Sequence, residues 1–321
     1  MANMPLLIGQ SHAIRRTVGV IERSAGFDVP VLIRGETGTG KELAARMIHY
    51  LSKRHAAPFV PVNCGALPEA LVENELFGCE RGAYTDARQA RDGLVMAAEA
   101  GTLFLDEVDA LSAHAQAALL RFLQDQTFRP LGANRERTGN VRVLAAASPR
   151  LNALIESGQF RADLAYRLDV LTLEMPPLRD RPGDASLLAK HFAARFASHY
   201  QLPLRPIEAA SLEWLERYPW PGNVRELENL VHRHTLLCTA DQLVLHTECT
   251  TARASTATPL DNYQSARSAV LETWEREYLL GLLRQTNGNV TQAAQYAGKE
   301  RRALGKLLKK HGIDRTPFAA G

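Results

Sequence analysis

The chain has 321 residues, of which 45% are hydrophobic and 23% charged, with 38 Lys and Arg against 35 Asp and Glu. Such a composition excludes a mainly disordered chain, a collagen-like chain and a coiled-coil rod, and the length suggests two domains with real cores. The formal net charge of +3 says little as a total; its distribution says more.

In chain order, β-rich runs fall at 29–33, 59–62, 102–105, 141–147 and 170–174, each followed by turn residues or a helical pattern. Strands alternating with helices predict an α/β fold with a mostly parallel, doubly wound sheet. After Pro176 and Pro177 the β-rich runs stop, and 186–200, 207–218 and 224–237 read as helices, an all-helical appendage. Residues 247–265 are rich in Ser, Thr and Ala without an apolar period and read as a linker. From Arg267 a helical spacing resumes through Val270, Trp274, Tyr278, Leu279 and Leu282.

Cys64, Cys79, Cys238 and Cys249 include no Cys-x-x-Cys pair, which argues against a disulfide framework or a zinc site. Residues 1–10 lack the basic and apolar regions of a signal peptide, and no apolar run approaches the ~18 residues that span a bilayer. The expected location is the reducing cytoplasm, with no membrane partner.

Two motifs carry chemistry. Gly35-Glu36-Thr37-Gly38-Thr39-Gly40-Lys41-Glu42 follows a buried-type strand and opens a helix over 42–51. Glycines let backbone N–H groups curl round phosphates, the helix N-terminus adds its positive dipole end, and Lys41 would bind the β- and γ-phosphates. Glu42 stands where Ser or Thr usually helps hold magnesium. The second motif is a strand, Gly101-Thr-Leu-Phe-Leu-Asp106-Glu107. Asp106 is suited to hold Mg2+ through water, and Glu107 to act as general base on an attacking water. Together they point to nucleoside triphosphate hydrolysis.

At the other end, residues 288–298 read as a capped short helix stopped by Gly298, and 301–311 as a second helix with Leu304, Leu307 and Leu308 on one face. Two helices joined by a short Gly turn form a helix-turn-helix signature. The second carries Arg301, Arg302, Lys306, Lys309 and Lys310, and the first three would reach the major groove or flanking phosphates. Gly305 costs ~1 kcal/mol of helix propensity against Ala and would permit a close approach to the duplex. Residues 299–315 hold seven basic and two acidic side chains, so +5 lies there and −2 over 1–298. That concentration predicts salt-dependent DNA binding confined to the tip.

With these motifs in this order, the chain resembles the AAA+ domain of bacterial enhancer-binding proteins, activators of sigma-54 RNA polymerase, from about Ile8 to Ile313. The resemblance implies an AAA+ α/β subdomain over 1–176, a helical lid over 177–246, a linker over 247–266, a Fis-like DNA-binding domain over 267–313 and a tail over 314–321. It implies ATP with Mg2+, and partners comprising sigma-54 RNA polymerase, double-stranded DNA, a hexameric or mixed ring and a regulatory protein. The build is similar to the short-form members, the phage-shock and type III secretion activators, in which no sensory domain precedes the ATPase.

Residue roles follow from the same resemblance. Asn63, in Phe59-Val-Pro-Val-Asn63-Cys64, would pair with Glu107 and switch it between resting and active positions. Arg161 and Arg167 would be arginine fingers supplied to a neighbouring subunit. Arg225, in Trp220-Pro-Gly-Asn-Val-Arg225, would report nucleotide state to the lid; read from the residues alone it is an ion-pair partner of Glu228. Ile8-Gly9 would line the adenine pocket, or simply enter a helix. Gly82-Ala83-Tyr84-Thr85-Asp86-Ala87 resembles the sigma-contact loop, with Tyr84 for Phe and Asp86 for Gly. Ala147-Ser148 stands where the family has Thr-Asn, and Lys299 replaces a usual apolar residue. Two functions are therefore weighed: an ATP-dependent activator, and a DNA-binding ATPase with impaired sigma contact that acts as a repressor or as a helper subunit in a mixed ring.

Overall fold

Five short parallel strands form the central sheet: β1 (Val31–Arg34), β2 (Phe59–Asn63), β5 (Thr102–Asp106), β8 (Arg142–Ala147) and β9 (Leu171–Glu174), in the order β2-β5-β8-β1-β9. All five coincide with the β-rich runs of the sequence. β1 starts two residues later than the run at 29–33, because Pro30 has no N–H for a ladder. The computed structural model describes residues 6–66, 72–80 and 90–246, and beyond them residues 275, 279, 282, 283, 286, 289–299, 301–311 and 313. The sigma-contact loop Gly82–Ala87, the linker and Cys249 lie outside the described residues.

Alternation along each strand sends side chains to opposite faces. Leu32, Leu103, Leu105, Val143 and Ala145 belong to one buried cluster, and Val31, Ile33, Phe104, Leu144, Ala146 and Leu173 to another. The second face is covered by α1 (His12–Ala25) and α2 (Lys41–Leu51), through Ile21, Ala44, Met47 and Ile48. The first is covered by α3 (Val72–Phe77), α4 (Leu94–Ala97), α5 (Ala113–Asp125), α6 (Leu151–Glu156) and α7 (Ala162–Leu168). Both faces of the parallel sheet are thus buried, as crossover helices require. Two short antiparallel ladders, β3 (Gly78–Cys79) with β4 (Arg91–Asp92) and β6 (Thr127–Phe128) with β7 (Arg137–Thr138), lie outside it. Helix α1 has no counterpart in the sequence reading, although Ser11 caps it by accepting from the Ile14 N–H.

Three helices follow the sheet: α8 (Asp184–His199), α9 (Ala209–Arg217) and α10 (Asn223–Leu237). They enclose a separate cluster centred on Trp220, Leu215, Phe192 and Leu227. Trp220 is 1% exposed and donates its indole N–H to Leu215 O at 2.8 Å. Asp184 ties this layer to the N-terminus. It accepts from Gln10 N–H at 2.6 Å, Ser11 N–H at 3.0 Å, Ser11 Oγ at 2.8 Å and Arg181 Nε at 2.9 Å. Arg181 also donates to Ile8 O at 2.8 Å.

The chain divides into two compact units, Met1–His246 and Thr247–Gly321. The described part of the second holds α11 (Val290–Tyr296) and α12 (Arg301–Lys310), which share a core of Leu279, Leu282, Leu283, Ala293, Ala294, Leu304 and Leu308. Asn289 caps α11 by accepting from the Thr291 and Gln292 N–H groups, and Gly298 takes φ +60° after it. Among the described residues no helix is long and apolar enough to cross a membrane.

Candidate active site

In-register pairing brings Asn63 beside Asp106 at the C-terminal ends of β2 and β5, and Ala147 beside Arg34 at the ends of β8 and β1. Crevices at the C-terminal edge of an open parallel sheet are where ligands bind. The loop 35–41 sits at that edge and leads straight into α2, so the first N–H groups of the helix face the crevice. A cleft of about 450 Å³ opens there. It is lined by Thr37 to Leu43 from the loop and α2, by Asp106 and Glu107, by Leu6 to Ile8, and by Leu188, His191, Phe192, Arg225 and Glu228 from the lid.

The charged groups hold one another in place. Lys41 Nζ donates to Gly35 O at 2.9 Å and Glu36 O at 3.1 Å. Burial lowers its pKa, partly opposed by Asp106, Asp109 and Glu107. Burial raises the pKa of Asp106, partly opposed by Lys41. Asp106 Oδ1 also accepts from the Glu107 N–H at 3.0 Å. Glu107 adopts φ +55°, which turns the chain sharply after the strand. A Cβ placed on Gly65 would stand 2.5 Å from Glu107 Oε2 and 3.4 Å from Asn63 Oδ1, so both side chains flank that glycine. Asn63 Oδ1 accepts from the Ala66 N–H at 3.1 Å; among the described residues no hydrogen bond joins Asn63 to Glu107. Beside them Cys64 is buried, its thiol pushed up to about 12 by that burial and by the neighbouring carboxylates.

Other site residues named from the sequence are placed as follows. Gly35 and Glu36 do not line the cleft. Glu42 is turned to Arg46, which donates to it from Nε at 2.9 Å and Nη2 at 2.7 Å. Arg225 lines the cleft, and Glu228 pairs with Arg195 rather than with it. Ile8 lines the cleft as well. Arg161 and Arg167 do not. Both are exposed, on the rim of α7, and Arg161 pairs with Asp163 at 2.7 Å. Ser148 Oγ donates to Asp109 Oδ2 at 2.6 Å. Arg301, Arg302 and Lys306 are exposed on α12 of the second unit.

The sequence reading missed four residues that organise the site: Glu36 as an ion-pair partner, Asp109, Arg179 and Asn223. Arg179 donates to Glu36 from Nη1 at 2.9 Å and Nη2 at 2.6 Å. Asn223 Nδ2 donates to Glu36 Oε2 at 3.0 Å and Thr37 O at 3.1 Å, while its Oδ1 accepts from the Leu178 N–H at 2.8 Å. Their partners are distant in sequence, so no local pattern marks them; only the position of Glu36 inside a phosphate-type loop was a visible signal.

The sigma-54 interaction domain family matches residues 7–174, and the AAA+ ATPase lid domain family matches residues 179–259. The chain belongs to the sigma-54 interaction family of AAA+ ATPases. Among curated members, it is 43% identical over 312 residues to the transcriptional regulatory protein GlrR of Escherichia coli, covering 97% of this chain and 69% of that one. It is 42% identical over 311 residues to the phenol regulator MopR of Acinetobacter guillouiae, covering 94% of this chain and 56% of the regulator. The chain thus spans between about half and seven-tenths of the length of such family members, 48% for the activator HyfR of Escherichia coli and 70% for PilR of Pseudomonas aeruginosa. A crystal structure of NtrX from Brucella abortus superposes with a TM-score of 0.73 at 32% identity, covering 95% of this chain and 69% of NtrX. NtrX is also known in complex with ATP, where the TM-score is 0.71.

Proposed function

We propose that this chain hydrolyses ATP and uses the energy to remodel closed complexes of sigma-54 RNA polymerase at promoters whose upstream DNA it binds. The observation that carries the reading is the convergence of Lys41, Asp106, Glu107 and Arg225 on one cleft. The ATP complex of NtrX and the family of transcriptional regulators support it. Backbone N–H groups between Gly35 and Glu42, with the dipole of α2, hold the triphosphate. Lys41 leaves its loop carbonyls to bind the β- and γ-phosphates. Glu107 takes a proton from the water that attacks the γ-phosphorus, and Asn63, beside it at Gly65, sets its resting position. Leu6, Ile8, Leu188 and Phe192 give the base an apolar wall.

Magnesium fits this donor set. No group of three or more His, Cys, Asp or Glu side chains among the described residues could cage a metal. A magnesium ion that arrives with a triphosphate needs only one or two carboxylates plus waters, and Asp106 supplies one. When bound, the ion neutralises charge on the β- and γ-phosphates.

Arg161 and Arg167, which do not line the cleft of their own chain, act on a neighbouring copy, which makes a ring the active form; trans arginines are worth ~10³–10⁵ in rate. Arg301, Arg302 and Lys306 of the Fis-like helix-turn-helix meet DNA. Open-complex formation by sigma-54 polymerase, ATP and this protein tests the reading; ATP hydrolysis without ATP-dependent open complexes would end it. One sequence feature favours the alternative of impaired sigma contact: Asp86 puts a charge and a Cβ where the family's sigma-contact motif has Gly. Under that reading Asp86→Gly creates activation that the wild type lacks, and equal activation by both removes its motive.

A further inference from the structure

A carboxylate inside a phosphate-binding loop is an electrostatic oddity. The loop and the N-terminus of α2 attract anions through oriented N–H groups, and a free Glu36 one residue past Gly35 would oppose them. In the structure Glu36 is not free. Both its oxygens are bonded to the Arg179 guanidinium, at 2.6 and 2.9 Å, and Asn223 donates to one of them at 3.0 Å. These bonds hold the Glu36 carboxyl at about 2. Asn223 is fully buried, takes φ +53° and spends both amide hydrogens on the loop, on Glu36 and on Thr37 O. Both partners belong to the lid, Arg179 at its start and Asn223 as the first residue of α10. The N-terminus of α10 is locked to the loop by its backbone as well: Val224 N–H donates to Gly38 O at 3.0 Å, and a Cβ on Gly38 would stand 2.3 Å from Gly222 O.

Resting on the reading of the cleft as an ATP site, we propose that Arg179 is a positioning residue for triphosphate binding. With Asn223 it neutralises Glu36 and holds it off the phosphate cradle, so the loop accepts the anion only while the lid is seated on it through Arg179 and the N-terminus of α10. Arg179 is exposed enough at 44% that an ordinary surface ion pair there would contribute little to stability. Its effect is on the charge that the phosphates meet.

The test is ATP affinity, with magnesium, measured by calorimetry on the full chain. Arg179→Gln weakens ATP binding about tenfold, the scale of one unscreened like charge near the phosphates, and the loss shrinks as salt rises. Adding Glu36→Gln to that variant restores most of the affinity, which a merely structural role of Arg179 would not do. Glu36→Gln alone, which keeps Arg179, tightens ATP two- to threefold and serves as the second readout should Arg179→Gln not fold. Unchanged affinity in Arg179→Gln, a double variant no tighter than the single, or weaker binding by Glu36→Gln overturns the proposal while leaving the ATP site intact. A wild type that binds no ATP overturns the site and the proposal together.

Discussion

Lys41 and Lys306 both sit on helices that we propose face an anion, yet their surroundings differ in kind. Lys41 is half-buried, donates to two loop carbonyls and lies among Asp106, Asp109 and Glu107. Lys306 is exposed beside Arg301 and Arg302. Glycines in the two regions repeat the contrast. Gly38 has φ +80° and no room for a Cβ, whereas a Cβ on Gly305 would meet nothing within 4 Å. One region works by interlocking geometry, in which each atom has an assigned partner. The other works by the sum of its charge. Substitutions in the first should be specific and large, and in the second graded and salt-dependent.

The largest expected effect is on turnover. Glu107→Ala removes the proton acceptor we propose in the cleft but none of the groups proposed to hold phosphate, so ATP binding should persist while the rate falls ~10²–10⁴-fold. Steady-state hydrolysis alongside ATP titration checks this; wild-type turnover in the variant would remove Glu107 from the chemistry.

Next in size is a stability effect at the edge of the same cleft. Arg181 and Asp184 are 2% and 0% exposed in their side chains. Asp184→Ala leaves the Arg181 charge buried and frees the Gln10 and Ser11 donors, a loss of about 3–5 kcal/mol, to be read from denaturant unfolding. Burial alone would raise the Asp184 pKa, but the bonds from Gln10, Arg181 and Ser11 win and hold it below 3.8. Because the folded value is the lower one, its contribution is complete above pH 3.8 and disappears as the pH falls through the folded value. Glu36, at about 2 against 4.5, loses its contribution over that same acid range. An acid unfolding curve that is flat below pH 4.5 would contradict both.

How much of this was legible in the sequence depends on range. The five strands and the lid helices were visible because alternation and helical spacing are local signals. Lys41, Asp106 and Glu107 were visible because strand–loop–helix order fixes where such side chains end up, and Arg225 because a family pattern marks it. Arg179 and Asn223 were invisible: each acts on Glu36 across 143 or 187 positions of chain, and nothing in Leu-Arg-Asp or Gly-Asn-Val announces it. Ser148 stands in the sequence where the family has Asn; its hydrogen-bond partner in the structure is Asp109, which no spacing rule would give. Helix α1 was not read from the sequence, although its buried positions Ile14, Thr17, Ile21, Ser24 and Ala25 recur at helical spacing; two of the five are hydroxyl residues, which leaves a sparse apolar signal.

In the charge-driven region the expected effects are smaller. Arg301→Ala and Arg302→Ala should each weaken DNA binding most at low salt, and lower the slope of log affinity against log salt by about 1 where a phosphate contact is lost. Filter binding over a salt series measures this. A salt-independent loss at one base position would instead mark direct readout by that arginine, and would move that residue from the charge-summed region toward the interlocked one.

The smallest effect separates the two regions most cleanly. Gly305 lies within α12, exposed, in helical surroundings with open space where a Cβ would go. Gly305→Ala should therefore raise the stability of the C-terminal unit by roughly 0.5–1 kcal/mol, from helix propensity alone. Thermal unfolding followed at the C-terminal unit reads that gain. DNA binding reads something else. If α12 only sums charge against phosphates, the added methyl group leaves affinity unchanged. If the helix backbone comes close to the duplex at Gly305, the same methyl group that stabilises the free protein weakens its complex. A variant that is both more stable and a poorer DNA binder would show that this glycine, like Gly38, is kept for a close approach, one made only in the complex.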